Sequence, residues 1–263
     1  MSKNQEIVLA CIEQKYFQKE VLIEQHAIVK ILSGEMRVVQ ADKTHIFGAG
    51  DIILFPRNTL TTVTKYPKGD NPYKSILLYI NAEKLRSFYA KHESKAKPVH
   101  DMRLRTFKSN ALFNSFFTSL VPYLEIDGDL PHNIVNIKIE EAISILRNVS
   151  PDIDSLLANF ELPGKLNLAD FMENNYRFNL PIAKFAYLTG RSITTFKKDF
   201  KNVFATTPQR WLTARRLDLA HQELMKKGKK PIDVYFEVGF ENLSHFSYAF
   251  KKHFGYTPTA ISR

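Results

Sequence analysis

Residues 181 to 208 return fifty positions further along the chain. Pro181-Ile182 recurs as Pro231-Ile232, Phe196 as Phe246, Phe200-Lys201 as Phe250-Lys251, Phe204 as Phe254, and Thr207-Pro208 as Thr257-Pro258. A single register joins these eight positions and keeps prolines, aromatics and spacing together. Such a repeat restricts the C-terminal part to two copies of one supersecondary unit.

Each copy has the grammar of a helix-turn-helix. A proline opens the first helix, where its missing N–H costs little. In the first copy Ile182, Phe185, Ala186 and Leu188 supply the core side. Gly190 then ends the helix in the left-handed conformation that glycine accepts. Ser192 is a good N-cap for the next helix. That helix is expected to bury Ile193, Phe196 and Phe200 and to turn Thr194, Thr195, Lys197, Lys198 and Lys201 outward. In the second copy Val234, Tyr235, Phe236 and Val238 precede Gly239, and Asn242 can cap. Leu243, Phe246 and Phe250 then face inward, which leaves Ser244, His245, Ser247, Tyr248 and Lys251 free. A helix presenting short polar and basic side chains suits a major groove, with lysines on phosphates and hydroxyls or imidazole on base edges. Between the copies, 208–227 reads as a helix with Leu212, Arg216, Leu217, Ala220 and Leu224 on one side and Trp211 as packing core.

Charge follows the repeat. The net charge is +10, and residues 160–263 hold 17 Lys and Arg against 9 Asp and Glu. The first 159 residues are nearly balanced, at 20 against 18. A basic half beside a near-neutral half points to a polyanion partner for one domain only.

The N-terminal half reads as short strands punctuated by glycine and proline: Ile28 to Leu32, Glu35 to Gln40, Thr44 to Phe47, Asp51 to Phe55, and Lys74 to Ile80. This argues for a small β barrel or sandwich. Helical periodicity takes over at 132–148, where Ile134, Ile137, Ile139, Ala142, Ile143, Ile145 and Leu146 give a broad apolar face. Ser150-Pro151 ends it. The expected class is α+β: a regulatory and dimerisation domain over 1–155, ending in that helix, and an all-α DNA-binding domain with two helix-turn-helix units over 165–263. Ile134, Ile137 and Ile145 are the candidate dimer seam, since regulators that read repeated half-sites pair.

The C-terminal string resembles the DNA-binding domain of AraC/XylS-type regulators. The residues that carry the resemblance are 192–201, Thr207-Pro208, 216–220 and, above all, Gly239-Phe240-Glu241-Asn242 with 246–258. The resemblance implies two recognition helices in successive major grooves on one face of bent DNA. It implies base contacts from Thr194, Lys197 and Lys198 in one copy and from Ser244, His245 and Tyr248 in the other. The chain departs from the family pattern at Ala205, a frequent glycine, and at Lys198 and Tyr248, both frequent arginines. Leu32-Ser33-Gly34-Glu35 and 48–56 resemble the cupin-like sensor domain of the same regulators, which implies a small-molecule effector, dimerisation, or both. The layout around Lys138-Ile139-Glu140-Glu141 is similar to members that answer to a protein partner instead.

The expected partners are therefore double-stranded promoter DNA, RNA polymerase, a second copy of the chain, and an effector or regulatory protein. No catalytic residue, cofactor or metal is expected. A metal-dependent cupin enzyme fused to the DNA-binding domain would need a His-x-His pair, whereas His26 and His45 stand alone. A cysteine-based repair protein would have to rest on Cys11, which reads as a small buried strand residue. No apolar run approaches the ~20 residues that span a bilayer, and Met1 to Ala10 lacks the pattern of a secretory leader. A cytoplasmic protein is expected. Lys227-Gly228-Lys229-Lys230 reads as a solvated turn with possible phosphate contact.

Overall fold

The computed structural model describes residues 6–13, 17–40, 43–94, 96–97, 99, 103–124, 131–226 and 229–261. The chain forms two compact units, Met1–Glu161 and Leu162–Arg263. The fold is α+β, with antiparallel sheets in the first unit and helices throughout the second.

The first unit runs through β1 (Ile7–Ile12), β2 (Phe17–Ile23), β3 (His26–Ser33), β4 (Glu35–Gln40), β5 (Lys43–Gly48), β6 (Ile52–Phe55), β7 (Thr59–Tyr66) and β8 (Tyr73–Ile80). It continues through α1 (Ala82–Lys91), β9 (Arg105–Phe107), α2 (Ala111–Leu124), α3 (His132–Val149) and α4 (Asp154–Leu157). One sheet has the order β1-β8-β3-β6-β9 and the other β2-β7-β4-β5, with every pairing antiparallel. The arrangement is a sandwich rather than a closed barrel. Its interior holds Val29, Ile31, Met36, Val38, Ile53 and Tyr73.

The five-stranded sheet is covered on both sides. Its outer face carries Ile28, Ile52, Leu54, Ile76 and Leu78, which pack with Phe88 of α1, Phe116 of α2 and Ile139 of α3. That double burial explains why Ile52 to Phe55 is a continuous apolar run, every residue buried. The four-stranded sheet has one such face, and its β4 alternates instead, with Met36 and Val38 buried and Arg37 exposed.

Three sequence expectations shift here. Cys11 is exposed rather than buried, because β1 is an edge strand whose odd positions Leu9 and Cys11 face outward. Ile153, Leu156 and Leu157 join the core of the first unit, which runs on to Glu161. On α3, Ile137 is 62% exposed, Ile134 is half-buried, and Ile145, at 8%, packs into the unit's own core.

The second unit contains α5 (Leu168–Asn175), α6 (Ile182–Leu188), α7 (Ile193–Phe204), α8 (Pro208–Leu224), α9 (Pro231–Glu237) and α10 (Leu243–Phe254). It has two apolar cores. Leu168, Met172, Phe185, Phe196, Phe200 and Leu212 form one. Leu217, Ala220, Leu224, Val234, Phe246 and Phe250 form the other. The long helix α8 serves both, Leu212 in the first and Leu217, Ala220 and Leu224 in the second. Trp211 packs edge-on to Phe200, with ring centroids 5.7 Å apart. The helix stops at Leu224, and Lys227 and Gly228 lie outside the described residues.

Candidate nucleic-acid interface

Both recognition helices start at side-chain caps. Ser192 Oγ accepts from the Thr195 backbone N–H at 3.2 Å, and Asn242 Oδ1 accepts from the His245 backbone N–H at 2.7 Å. Each cap satisfies one of the orphan donors at a helix start. Gly190 (φ +66°) and Gly239 (φ +91°) make the preceding turns. At both, an added Cβ would meet backbone oxygen, Pro163 O at 2.5 Å and Arg177 O at 2.6 Å respectively.

With Phe196 and Phe200 buried, α7 turns Thr194, Thr195, Lys197, Lys198 and Lys201 to solvent. Ile193, placed in the core from sequence, is 46% exposed. It is the first residue of α7, one position before the outward-facing Thr194, and so it stays at the rim. With Phe246 and Phe250 buried, α10 exposes Ser244, His245, Tyr248 and Lys251, and half-buries Ser247. The Thr195 hydroxyl lies 2.9 Å from Ser192 Oγ and so already serves the cap. The His245 ring leans against Phe240, with centroids 5.7 Å apart.

Ion pairing sorts the cations of this unit. Arg191 Nε lies 2.9 Å from Asp199 Oδ2, Arg215 pairs with Glu173, Lys226 with Glu223, and Lys229 with Glu237. Among the described residues Lys197, Lys198, Lys201, Arg210, Lys251 and Lys252 form no ion pair. These six sit on α7, on α10 and in the first turn of α8. Asp199 is the single acid on α7. Its hydrogen bond from Arg191 holds its carboxyl below the usual carboxylate range. The helix thus faces solvent with unneutralised positive charge, which is what a phosphate backbone requires.

Two contributors escaped the sequence reading. A groove of about 440 Å³ runs between α8 and α10, lined among others by Arg210, Thr213, His245, Tyr248, Lys252 and His253. Arg210 and Lys252 extend the unpaired charge beyond the recognition residues. No periodicity marks them, and only their basic character in a basic domain could have done so.

No helix among the described residues is long and apolar enough to cross a membrane.

A double helix-turn-helix with a cationic face, following an antiparallel sandwich, defines a two-part DNA-binding regulator. Residues 185–263 match the family described as a helix-turn-helix domain, and residues 26–149 match the ExsA N-terminal regulatory domain. Over both segments the chain is similar to AraC/XylS-type transcriptional regulators. It is 31% identical over 158 residues to the virulence regulon transcriptional activator VirF of Yersinia enterocolitica. That match covers 59% of this chain and 58% of VirF, so the chain spans less than two thirds of that relative's length. It is 24% identical over 243 residues to the HTH-type transcriptional regulator ExsA of Pseudomonas aeruginosa, covering 90% of this chain and 85% of ExsA. An apo variant of ToxT from Vibrio cholerae shares the fold over 98% of this chain and 97% of its own, at 14% identity and a TM-score of 0.50.

Proposed function

We propose that the chain is a sequence-specific transcription activator that reads double-stranded promoter DNA with α7 and α10 and answers to a small-molecule effector through its N-terminal unit. The observation that carries the DNA reading is the segregation of charge. Among the described residues, six cations without an ion pair cluster on α7, on α10 and at the start of α8, and Arg177 and Lys230 also lack one, while Arg191, Arg215, Lys226 and Lys229 are neutralised by acids. Lysines take phosphates, and His245, Tyr248, Ser244 and Thr194 take base edges or thymine methyls. VirF, named as an activator, supports activation, which needs contact with RNA polymerase in the cytoplasm.

Homodimerisation fits α3 around Ile134 and Ile137. Ile145 lines a groove of about 350 Å³ that it shares with Leu112, Ser115, Glu141, Ser144 and Asn148. A regulatory protein in place of a small ligand is the second reading, and the same exposed apolar face on α2 and α3 favours it. The test of DNA binding is its salt dependence. Affinity falls with a log–log slope of about −0.9 per phosphate neutralised, so several contacts give a steep decline. A flat response contradicts the reading.

A further inference from the structure

The two helix-turn-helix units meet at a polar seam. Their apolar cores are separate and share only α8. Arg216 stands on α8 between Leu212, which belongs to one core, and Leu217, which belongs to the other. It is 8% exposed, and its guanidinium spreads across both halves. Nε donates to Tyr176 O at 2.9 Å and one terminal nitrogen donates to Phe178 O at 2.8 Å, both in the connection from α5 to α6. The other terminal nitrogen donates to Gly239 O at 3.1 Å, in the turn of the second unit. Gly239 abuts the same connection, since an added Cβ there would lie 2.6 Å from Arg177 O and 2.9 Å from Arg216 Nε. Asn179 Nδ2 donates to Glu241 Oε1 at 2.9 Å across the same seam. Beside these ties runs a cleft of about 200 Å³, lined among others by Asn179, Gln209, Leu212, Arg216 and Glu241.

We infer that this seam, centred on Arg216, sets the spacing between the two half-sites that the protein recognises. The inference rests on the proposed DNA reading. Apolar packing holds each half together, but it does not fill the seam, so the angle between the halves depends on directional hydrogen bonds. A planar guanidinium with donors in a fixed fork holds three carbonyls in one geometry, and an ammonium on a flexible stem does not. Adding one base pair between half-sites moves one of them by about 3.4 Å and turns it by about 35°. A locked pair of helices rejects that displacement, and a hinged pair follows it.

The experiment uses the full chain and an operator selected from randomised DNA. Binding is measured on that operator and on versions with one base pair added or removed between the half-sites, for wild type and Arg216→Lys. Circular dichroism establishes that each variant is folded. Wild type loses roughly tenfold or more in affinity on either altered spacing. Arg216→Lys binds the optimal site more weakly, yet stays within about threefold across the three spacings. A purely structural role lowers affinity by one factor at every spacing and keeps the wild-type profile, and that result overturns the inference. If Arg216→Lys does not fold, Asn179→Ala combined with Glu241→Ala cuts the exposed tie instead. It flattens the profile in part, and an unchanged profile overturns the proposal equally. A wild type that binds its operator yet tolerates every spacing also overturns it. A wild type that selects no sequence at all overturns the DNA reading itself.

Discussion

Ala205 ends α7 in the left-handed conformation, at φ +54°, where its counterpart Gly255 ends α10 at +85°. An L side chain in that region costs roughly 1–2 kcal/mol, and glycine escapes the penalty at some cost in unfolded-state entropy. Ala205→Gly therefore stabilises the second unit by about 0.5–1 kcal/mol, read as a midpoint shift in denaturant unfolding. A destabilised variant contradicts the assignment. His26 makes a different case. It is almost fully buried, its Nδ1 accepts from the Arg57 backbone N–H at 3.3 Å, and its Nε2 has no partner. Burial, aided by the Arg57 charge, lowers its pKa from 6.5 to about 3. The unfolded chain thus binds the proton more readily. The stability that neutral His26 contributes is complete above pH 6.5 and is lost as pH falls from 6.5 towards 3. The slope reaches up to ~1.4 kcal/mol per pH unit. His26→Gln removes that slope from the pH profile of unfolding, and a profile as steep as wild type speaks against it. Sequence alone showed an isolated histidine, but nothing in it marks the burial. Cys11 and Ile193 were likewise hidden, because exposure at a sheet edge or a helix start depends on what packs there.

Among elements, legibility tracked periodicity and punctuation. The helices of the repeat carried caps, glycines and buried phenylalanines at fixed spacing, and α7, α8 and α10 stand where those signals put them. Strands β3 to β6 were visible because glycine or proline bounds many of their ends. Strand β7 was not, because Thr59, Thr61 and Thr64 read as polar yet are buried. Helix α2 was obscured by Pro122 within it. On α3 the apolar stripe was plain, but it is wider than one interface needs. Val135, Ile139, Ala142, Ile143, Ile145 and Leu146 fill the unit's own core, which leaves Ile137 at the surface. If α3 pairs two copies of the chain, Ile137→Asp yields a folded monomer in sedimentation, with intrinsic DNA affinity intact. A dimer that persists removes α3 from the interface. Ile145→Asp buries a charge and lowers stability by several kcal/mol whatever the oligomeric state.

Along the chain a sandwich unit is followed by a helical unit whose two halves share α8. The repeat and the charge asymmetry made the second unit and the outward faces of α7 and α10 readable in advance. The polar seam was not readable, because Arg216 sits at a helical position that looks like core, and its partners are backbone carbonyls with no sequence signature. In the proposed reading, α7 and α10 read two different segments of one operator. Lys198 on α7 and His245 on α10 both face solvent, each on the helix turned outward by a pair of buried phenylalanines. Two such units on one body read successive major grooves, about ten base pairs apart. Loss of a base contact costs ~1–3 kcal/mol at its own position, and loss of a phosphate contact weakens all sequences alike. The most direct measurement is a binding selection on randomised operators with wild type, Lys198→Ala and His245→Ala. The account predicts that His245→Ala relaxes preference at one cluster of base pairs. Lys198→Ala lowers affinity and relaxes preference, if at all, at a cluster about one helical turn away. Relaxation of the same base pairs by both variants, or wild-type binding by both, contradicts it.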